Sequence, residues 1–254
     1  MANPAILRSN NFAHGTLTAT GTDAGYSVNN LIDYRTTTHW QAAAHGTNYI
    51  TVESGDVLSA DMLGIVKHNL YTASATITIE YWDNVLSSWV AIGTPFSPTS
   101  DECIIKQFTS KTSLKWRIKI NTASVKAKIA VMMIGSKIEM PYPPEAPSAP
   151  YREIYRLLNT ESKNNNFLGA IRRHPRYSIN HSYKMITKTF YDTYLLPFWD
   201  THAKLGYPFF YGMDADNIPE GNFFCRFIDD YEWNPNRSNS SYINELVFDM
   251  IGER

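Results

Sequence analysis

Cysteine is scarce in this chain of 254 residues. Only Cys103 and Cys225 are present, too few for the disulfide framework of a small secreted domain, so two buried free thiols are expected. No charge of one sign prevails: 23 basic residues face 24 acidic ones, for a net charge of −1. That balance gives no electrostatic footprint for nucleic acid or an anionic membrane surface, and the small basic cluster at Arg172, Arg173 and Arg176 reads as a solvated face. No stretch approaches the ~20 apolar residues of a membrane span, and the opening MANPAILRSNNF lacks a signal-peptide core, so synthesis in the cytoplasm is expected.

Catalytic and cofactor signatures are missing too. There is no P-loop, no dinucleotide glycine fingerprint, no Gly-x-Ser-x-Gly elbow and no His-Glu-x-x-His motif. No cofactor, no metal and no enzymatic activity are expected. His39 and His45 have no carboxylate or thiolate at a ligand spacing and read as surface histidines. The nearest approach to a catalytic set is the acidic series Asp214, Asp216, Asp229, Asp230 and Glu232, with His202 nearby. Paired carboxylates about 5 to 10 Å apart would serve a glycosidase, but acidic residues at a strand exit ordinarily solvate a turn.

What the chain does have is apolar and aromatic content. Hydrophobic residues make up 43%, aromatics 13% and charged residues only 19%, which marks a folded chain rather than a disordered one. Residues 140–150, MPYPPEAPSAP, carry five prolines; neither helix nor central strand runs through such a segment, and it is expected to be a semi-rigid linker. Before it, short runs alternate at period two. Leu114, Trp116, Ile118 and Ile120 oppose Lys115, Arg117 and Lys119. Ile77, Ile79 and Tyr81 oppose Thr76, Thr78 and Glu80. Ile129, Val131 and Met133 have almost equally apolar neighbours, as a strand covered on both faces requires. Residues 1–139 therefore read as an all-β sandwich or barrel.

Residues 151–254 read as a β domain with one helix. Tyr151 to Leu158 fits a strand or a helical turn, and Tyr177, Ile179, His181 and Tyr183 alternate as a half-buried strand. The helix is expected from Thr189 to Leu205, with Thr187 or Thr189 as its cap, Gly206 beyond its end, and a late start or a kink imposed by Pro197. Strands follow at Tyr207 to Tyr211, Phe223 to Ile228 and Tyr242 to Ile251, the last two joined by a turn-rich loop over 234–241. In the last strand Tyr242, Leu246, Phe248 and Met250 are expected on one side, with Ile243, Glu245, Val247 and Asp249 on the other.

The stretch YSVNNLIDYRTTTHW, residues 26–40, resembles the opening of discoidin-like, galactose-binding-like jelly rolls, whose Asn-Leu-x-Asp turn and Thr-x-Trp match Asn30, Leu31, Asp33, Thr38 and Trp40. YITVES, ADMLGIVKHNL, TITIEYWDN and LKWRIKI continue the likeness over roughly residues 5–139. The resemblance implies ligand loops at one end of the sandwich, where His39, Gln41, His45 and Asn84 are the candidates. On the residues alone, Asp33 and Trp40 read as scaffold: a carboxylate bonding the amides of its own turn, and an indole filling the core. The second half, through LLPFWDTHAKLGYPFFYGMD, FFCRFIDDYEWNPN and YINELVFDMIGE, resembles the carboxyl-terminal part of phage minor tail proteins. That likeness implies a structural component of a virion tail, tail tip or distal ring, whose partners are other tail proteins and copies of itself. Trp199, Phe209, Phe210, Tyr211 and Trp233 are candidates for either its core or its assembly interface. The alternative is a carbohydrate-binding module or adhesin recognising a host surface glycan.

Overall fold

The computed structural model describes residues 3–146, 149, 151–155, 157–161, 163–164, 167–172, 176–215, 217–228, 231–233, 235–237 and 241–254. Arg173, Asp216, Asp229 and Asp230, singled out above, lie outside them. The chain is mainly β. Its first half supplies β1 (Ala5–Leu7), β2 (Gly15–Ala19), β3 (Trp40–Gln41), β4 (Gly46–His68), β5 (Thr76–Asp83), β6 (Ser88–Ala91), β7 (Ile104–Thr122), β8 (Lys128–Gly135) and β9 (Lys137–Glu139). A seven-stranded antiparallel sheet runs β3-β8-β4-β7-β5-β6, with β2 on a free stretch of β4. The alternating runs of β5 and β7 form as their patterns require: Ile77, Ile79, Trp116, Ile118 and Ile120 are buried in one core with Trp40 and Leu31. YITVES and ADMLGIVKHNL, which resemble separate strands, are one 23-residue strand, β4. Its pairing with β7 shifts between Glu53 and Leu58 and again between Ala60 and Met62, and such irregularities bend a strand without ending it.

The second half supplies β10 (Arg152–Ile154), β11 (Leu157–Glu161), β12 (Phe167–Arg172), β13 (Arg176–Thr187), β14 (Phe209–Gly212), β15 (Asn222–Phe227), β16 (Asn236–Arg237) and β17 (Tyr242–Glu253). They build a sheet in the order β10-β13-β17-β15-β14-β1-β9, with β16 on β17, while β11 and β12 form a separate hairpin. Strands β1 and β9, from the half read as a sandwich, thus hydrogen-bond into the second sheet: Ile6 lies opposite both Tyr211 and Ile138. The reason for the doubly apolar pattern of β8 is now plain. Ile129, Met132 and Ile134 face the sandwich core, whereas Ala130, Val131 and Met133 join Ala5, Leu7, Met62, Phe210 and Phe224 in a separate cluster that spans the two sheets.

The helical segment starts one residue before the expected position, at Lys188, with the Thr187 hydroxyl accepting from the Phe190 amide. Pro197 does not interrupt it. A π-helical turn, Tyr191–Leu195, precedes the α-helical turn Leu196–Thr201, and the wider register absorbs the amide that proline lacks. A 3-10 turn, Ala203–Leu205, closes on Gly206 at φ 76°. Because the amide of Tyr207 still bonds back to the His202 carbonyl, the following strand begins at Phe209 rather than at Tyr207. In β17 the expected faces need one correction: Ile243 is buried with Leu246, Phe248 and Met250, while Tyr242 is 37% exposed. The alternation slips opposite Met185, where φ is 58° and the ladder with β13 skips a pair.

The proline-rich segment lies along β13. The Glu145 amide donates to the Ser182 carbonyl, the Tyr142 hydroxyl donates to the Lys184 carbonyl, and buried His181 reaches the Ala149 carbonyl through Nε2 at 3.3 Å. On its other side His181 Nδ1 meets the Tyr211 hydroxyl at 2.6 Å, which in turn meets the Tyr183 hydroxyl at 3.0 Å. This polar chain is enclosed in the second core, and burial holds the imidazole below its usual pKa because a low-dielectric site penalises the charged form.

Candidate functional site

Asp33 and Trp40 act as scaffold. Asp33 accepts from the Arg35 amide at 2.8 Å and from the Thr38 hydroxyl at 2.7 Å. Trp40 is fully buried, with its indole N–H on the Thr22 hydroxyl at 3.1 Å. The four candidate ligand residues do not converge. Gln41 is occupied, its amide donating to Asp23 at 2.8 Å, and the same carboxylate takes the Lys126 ammonium at 2.8 Å; that hydrogen bond holds Asp23 below the usual carboxylate range. His39 packs its ring 4.6 Å from that of Tyr26, with Nε2 buried and lacking a hydrogen-bond partner. His45 is exposed in the loop before β4. All three sit at the end of the sheet where Gly46 pairs with Thr122. Asn84 lies in the β5–β6 turn at the opposite end, beyond the level of Lys115. At ~3.3 Å per residue, that is more than about 20 Å along β7.

The five aromatic candidates divide. Phe209, Phe210 and Tyr211 are wholly buried within the chain, so they are core. Trp199 and Trp233 are half-buried, with ring planes stacked at 4.9 Å and 10°; the Trp233 indole donates to the Tyr191 hydroxyl at 2.9 Å. Of the acidic series, Asp214 is buried and takes the Asn217 side-chain amide at 2.9 Å, and His202 is held on the Pro208 carbonyl at 2.8 Å. Among the described residues no group of His, Cys, Asp and Glu could hold a metal ion. Likewise, no helix among them is long and apolar enough to cross a membrane. Cys103 and Cys225 are free and buried.

A different constellation stands on the solvent side of the first sheet. Register sets Trp82 opposite Trp89 and Glu80 opposite Arg117. The two indoles meet edge to face at 5.5 Å. The Arg117 guanidinium lies 4.3 Å from the ring centres of both Trp89 and Tyr49 and pairs with the Glu80 carboxylate at 2.5 Å. Beside it, Lys115 stands over Trp82 at 5.8 Å and pairs with Glu53. Three partly exposed aromatic rings thus alternate with two ion pairs on an open sheet face. Sequence alternation assigns Arg117 and Lys115 to the outer face, but gathering Tyr49 from β4 and Trp89 from β6 around them requires the strand order, which no local pattern contains.

No family model matches the chain, and no curated protein matches it. Solved structures do resemble half of it. A chitosan-binding module of a chitosanase/glucanase from Paenibacillus sp. IK-5 is 19% identical over 50% of this chain and 98% of that one, with a TM-score of 0.43. A carbohydrate-binding module of AlyQ in complex with 4,5-unsaturated mannuronic acid is 22% identical over 50% of this chain and 96% of that one, with a TM-score of 0.39. A fucosidase from Ruminococcus gnavus is 14% identical over 52% of this chain, with a TM-score of 0.44, and the match spans 27% of its length.

Proposed function

We propose that this chain is a non-enzymatic carbohydrate-binding protein, with the outer face of the first sheet as its ligand surface. The observation that carries the reading is the ladder of Tyr49, Arg117, Trp89 and Trp82 with Glu80 and Lys115. A pyranose ring has C–H-rich faces that pack on aromatic surface and hydroxyls that bond to planar charged groups, and this face supplies both side by side. Because its charges are already paired with each other, the surface favours an uncharged sugar. Glycan-array screening of the full chain is expected to give a hit. In titration calorimetry with that glycan, Trp82→Ala and Trp89→Ala are each expected to weaken binding at least tenfold; unchanged affinity in both would overturn this site.

The same proposal gives the second half an assembly role, as a component of a phage tail tip or distal ring that contacts other tail proteins and further copies of itself. Supporting it, β11 and β12 pair only with each other among the described residues, and an isolated two-stranded hairpin is marginal in water. Leu168 and Ile171 on β12 are 64% and 66% exposed. Apolar side chains gathered on one arm are the usual mark of a protein contact. In sedimentation velocity the chain is expected to form a defined oligomer, and Leu168→Ser with Ile171→Ser to shift it to monomer. A wild-type monomer at every concentration, on particles that antibody-gold leaves unlabelled, would end the assembly reading.

A further inference from the structure

The face of the second sheet turned toward the sandwich carries a mixed set of apolar and charged side chains. Between β15 and β17, Arg226 lies opposite Ile251 and Phe224 opposite Glu253. Between β17 and β13, Ser178 lies opposite Ile251 and Tyr177 opposite Gly252, so the next step of the same register brings Arg176 beside Glu253. Since residues two apart share a face, Phe224, Arg226, Ile251, Glu253 and Arg176 point the same way. The sandwich loop over residues 34–37 covers this patch, and together they bound a cleft of about 390 Å³.

Two arginines, Arg35 and Arg176, line the cleft with one carboxylate among the described residues, Glu253, in a chain whose net charge is −1. Arg226 reaches the Phe227 carbonyl at 3.5 Å. Neither Arg35 nor Arg176 has an acidic partner among the described residues. Like charges held at one cleft repel each other, and an anion between them removes that cost. Tyr34 holds the loop in place from a left-handed backbone, φ 59°, a conformation that costs energy for a residue with a side chain. Its ring packs on the cluster between the two sheets. The loop that delivers Arg35, Thr36 and Thr37 to the cleft is therefore fixed from below.

We propose that this cleft binds a small hydroxylated ligand bearing one anionic group, a carboxylate or a phosphate. Arg35 and Arg176 grip the anion, since a guanidinium presents paired donors that match either group. The hydroxyls of Thr36 and Thr37 meet neighbouring ligand oxygens, and Phe224 and Ile251 form an apolar floor. The volume lies in the range of small-molecule sites. This site is separate from the aromatic ladder and stands whether or not that face binds glycan.

The test is calorimetric titration of the full chain with glucuronate, glucose 6-phosphate, inorganic phosphate and glucose. At least one of the two anionic sugars is expected to bind, more weakly as salt is raised, with glucose giving no heat; which one binds tells carboxylate from phosphate. Arg35→Gln and Arg176→Gln are each expected to lower that affinity at least tenfold with the unliganded unfolding midpoint unchanged, whereas Trp82→Ala leaves it as it was. Failure of both anionic sugars to bind, binding undiminished in the double arginine variant, or inorganic phosphate binding as tightly as the sugars would overturn the proposal.

Discussion

Phe210→Ala is expected to lower the free energy of unfolding by about 3–5 kcal/mol, the range for emptying a buried aromatic site. Phe210 is fully buried on β14, in the cluster shared by the two sheets, and its ring lies directly over Gly64 of β4. A Cβ placed at Gly64 would come within 2.4 Å of the ring. Gly64→Ala is therefore expected to destabilise the protein too, by about 1–3 kcal/mol through overpacking. The two effects share one space, so in the double variant the methyl group enters the room the ring has left. The combined loss is expected to fall short of the sum of the single losses by more than about 1 kcal/mol, as for residues in direct contact. Denaturant titration of the three variants measures it. Strict additivity would mean that the two sheets do not meet at this point.

Acidification is expected to destabilise the protein as well. His68, His181 and His202 are buried, and burial pushes each below the ordinary histidine pKa. Each is placed to work as the neutral imidazole: His68 accepts from the Leu70 amide through Nδ1 at 3.1 Å and donates from Nε2 to the Glu102 carbonyl at 2.7 Å. The folded state thus refuses protons that the unfolded chain accepts at about pH 6.5. Stability is full above that pH and falls as the pH drops below it toward each folded-state pKa, most steeply while all three imidazoles still exclude their protons. Asp101, 3.7 Å from His68 Nδ1, softens the loss there. Asp61, raised by its own burial, offsets part of it at lower pH. Denaturation midpoints between pH 7.5 and 5.0 test this. A flat profile would contradict it, and His68→Gln, which keeps a donor and an acceptor, is expected to make the profile shallower.

Much of the architecture was legible because local chemistry decides it. The periods of β5, β7 and β13, the threonine cap of the helix, and the Asp33 turn with Trp40 behind it each follow from side chains within a few residues of one another. Where neighbours from distant sequence intervene, the local pattern misleads. Tyr242 and Ile243 exchanged roles because the alternation slips opposite Met185, and YITVES joined ADMLGIVKHNL because a shifted register lets one strand continue through both.

The candidate site shows the same division more sharply. Asn84 and His45 are both polar loop residues, and only the direction of the strands between them puts them at opposite ends of the sheet. Phe209, Phe210 and Tyr211 are apolar enough for a core or an interface, and a second sheet closing over them made them core. The sequence by itself determined the β-rich class, the position of the helical segment, the buried thiols and the scaffold role of Asp33 and Trp40, since these depend on periodicity and on bonds within a turn. Only the tertiary structure decided that β1 and β9 enter the second sheet, that Tyr49, Trp82, Trp89 and Arg117 share one surface, and that Arg35 meets Arg176 across a cleft. Those outcomes depend on which strands pair and in what register, a choice made by the free energy of the whole packed core rather than by any segment alone.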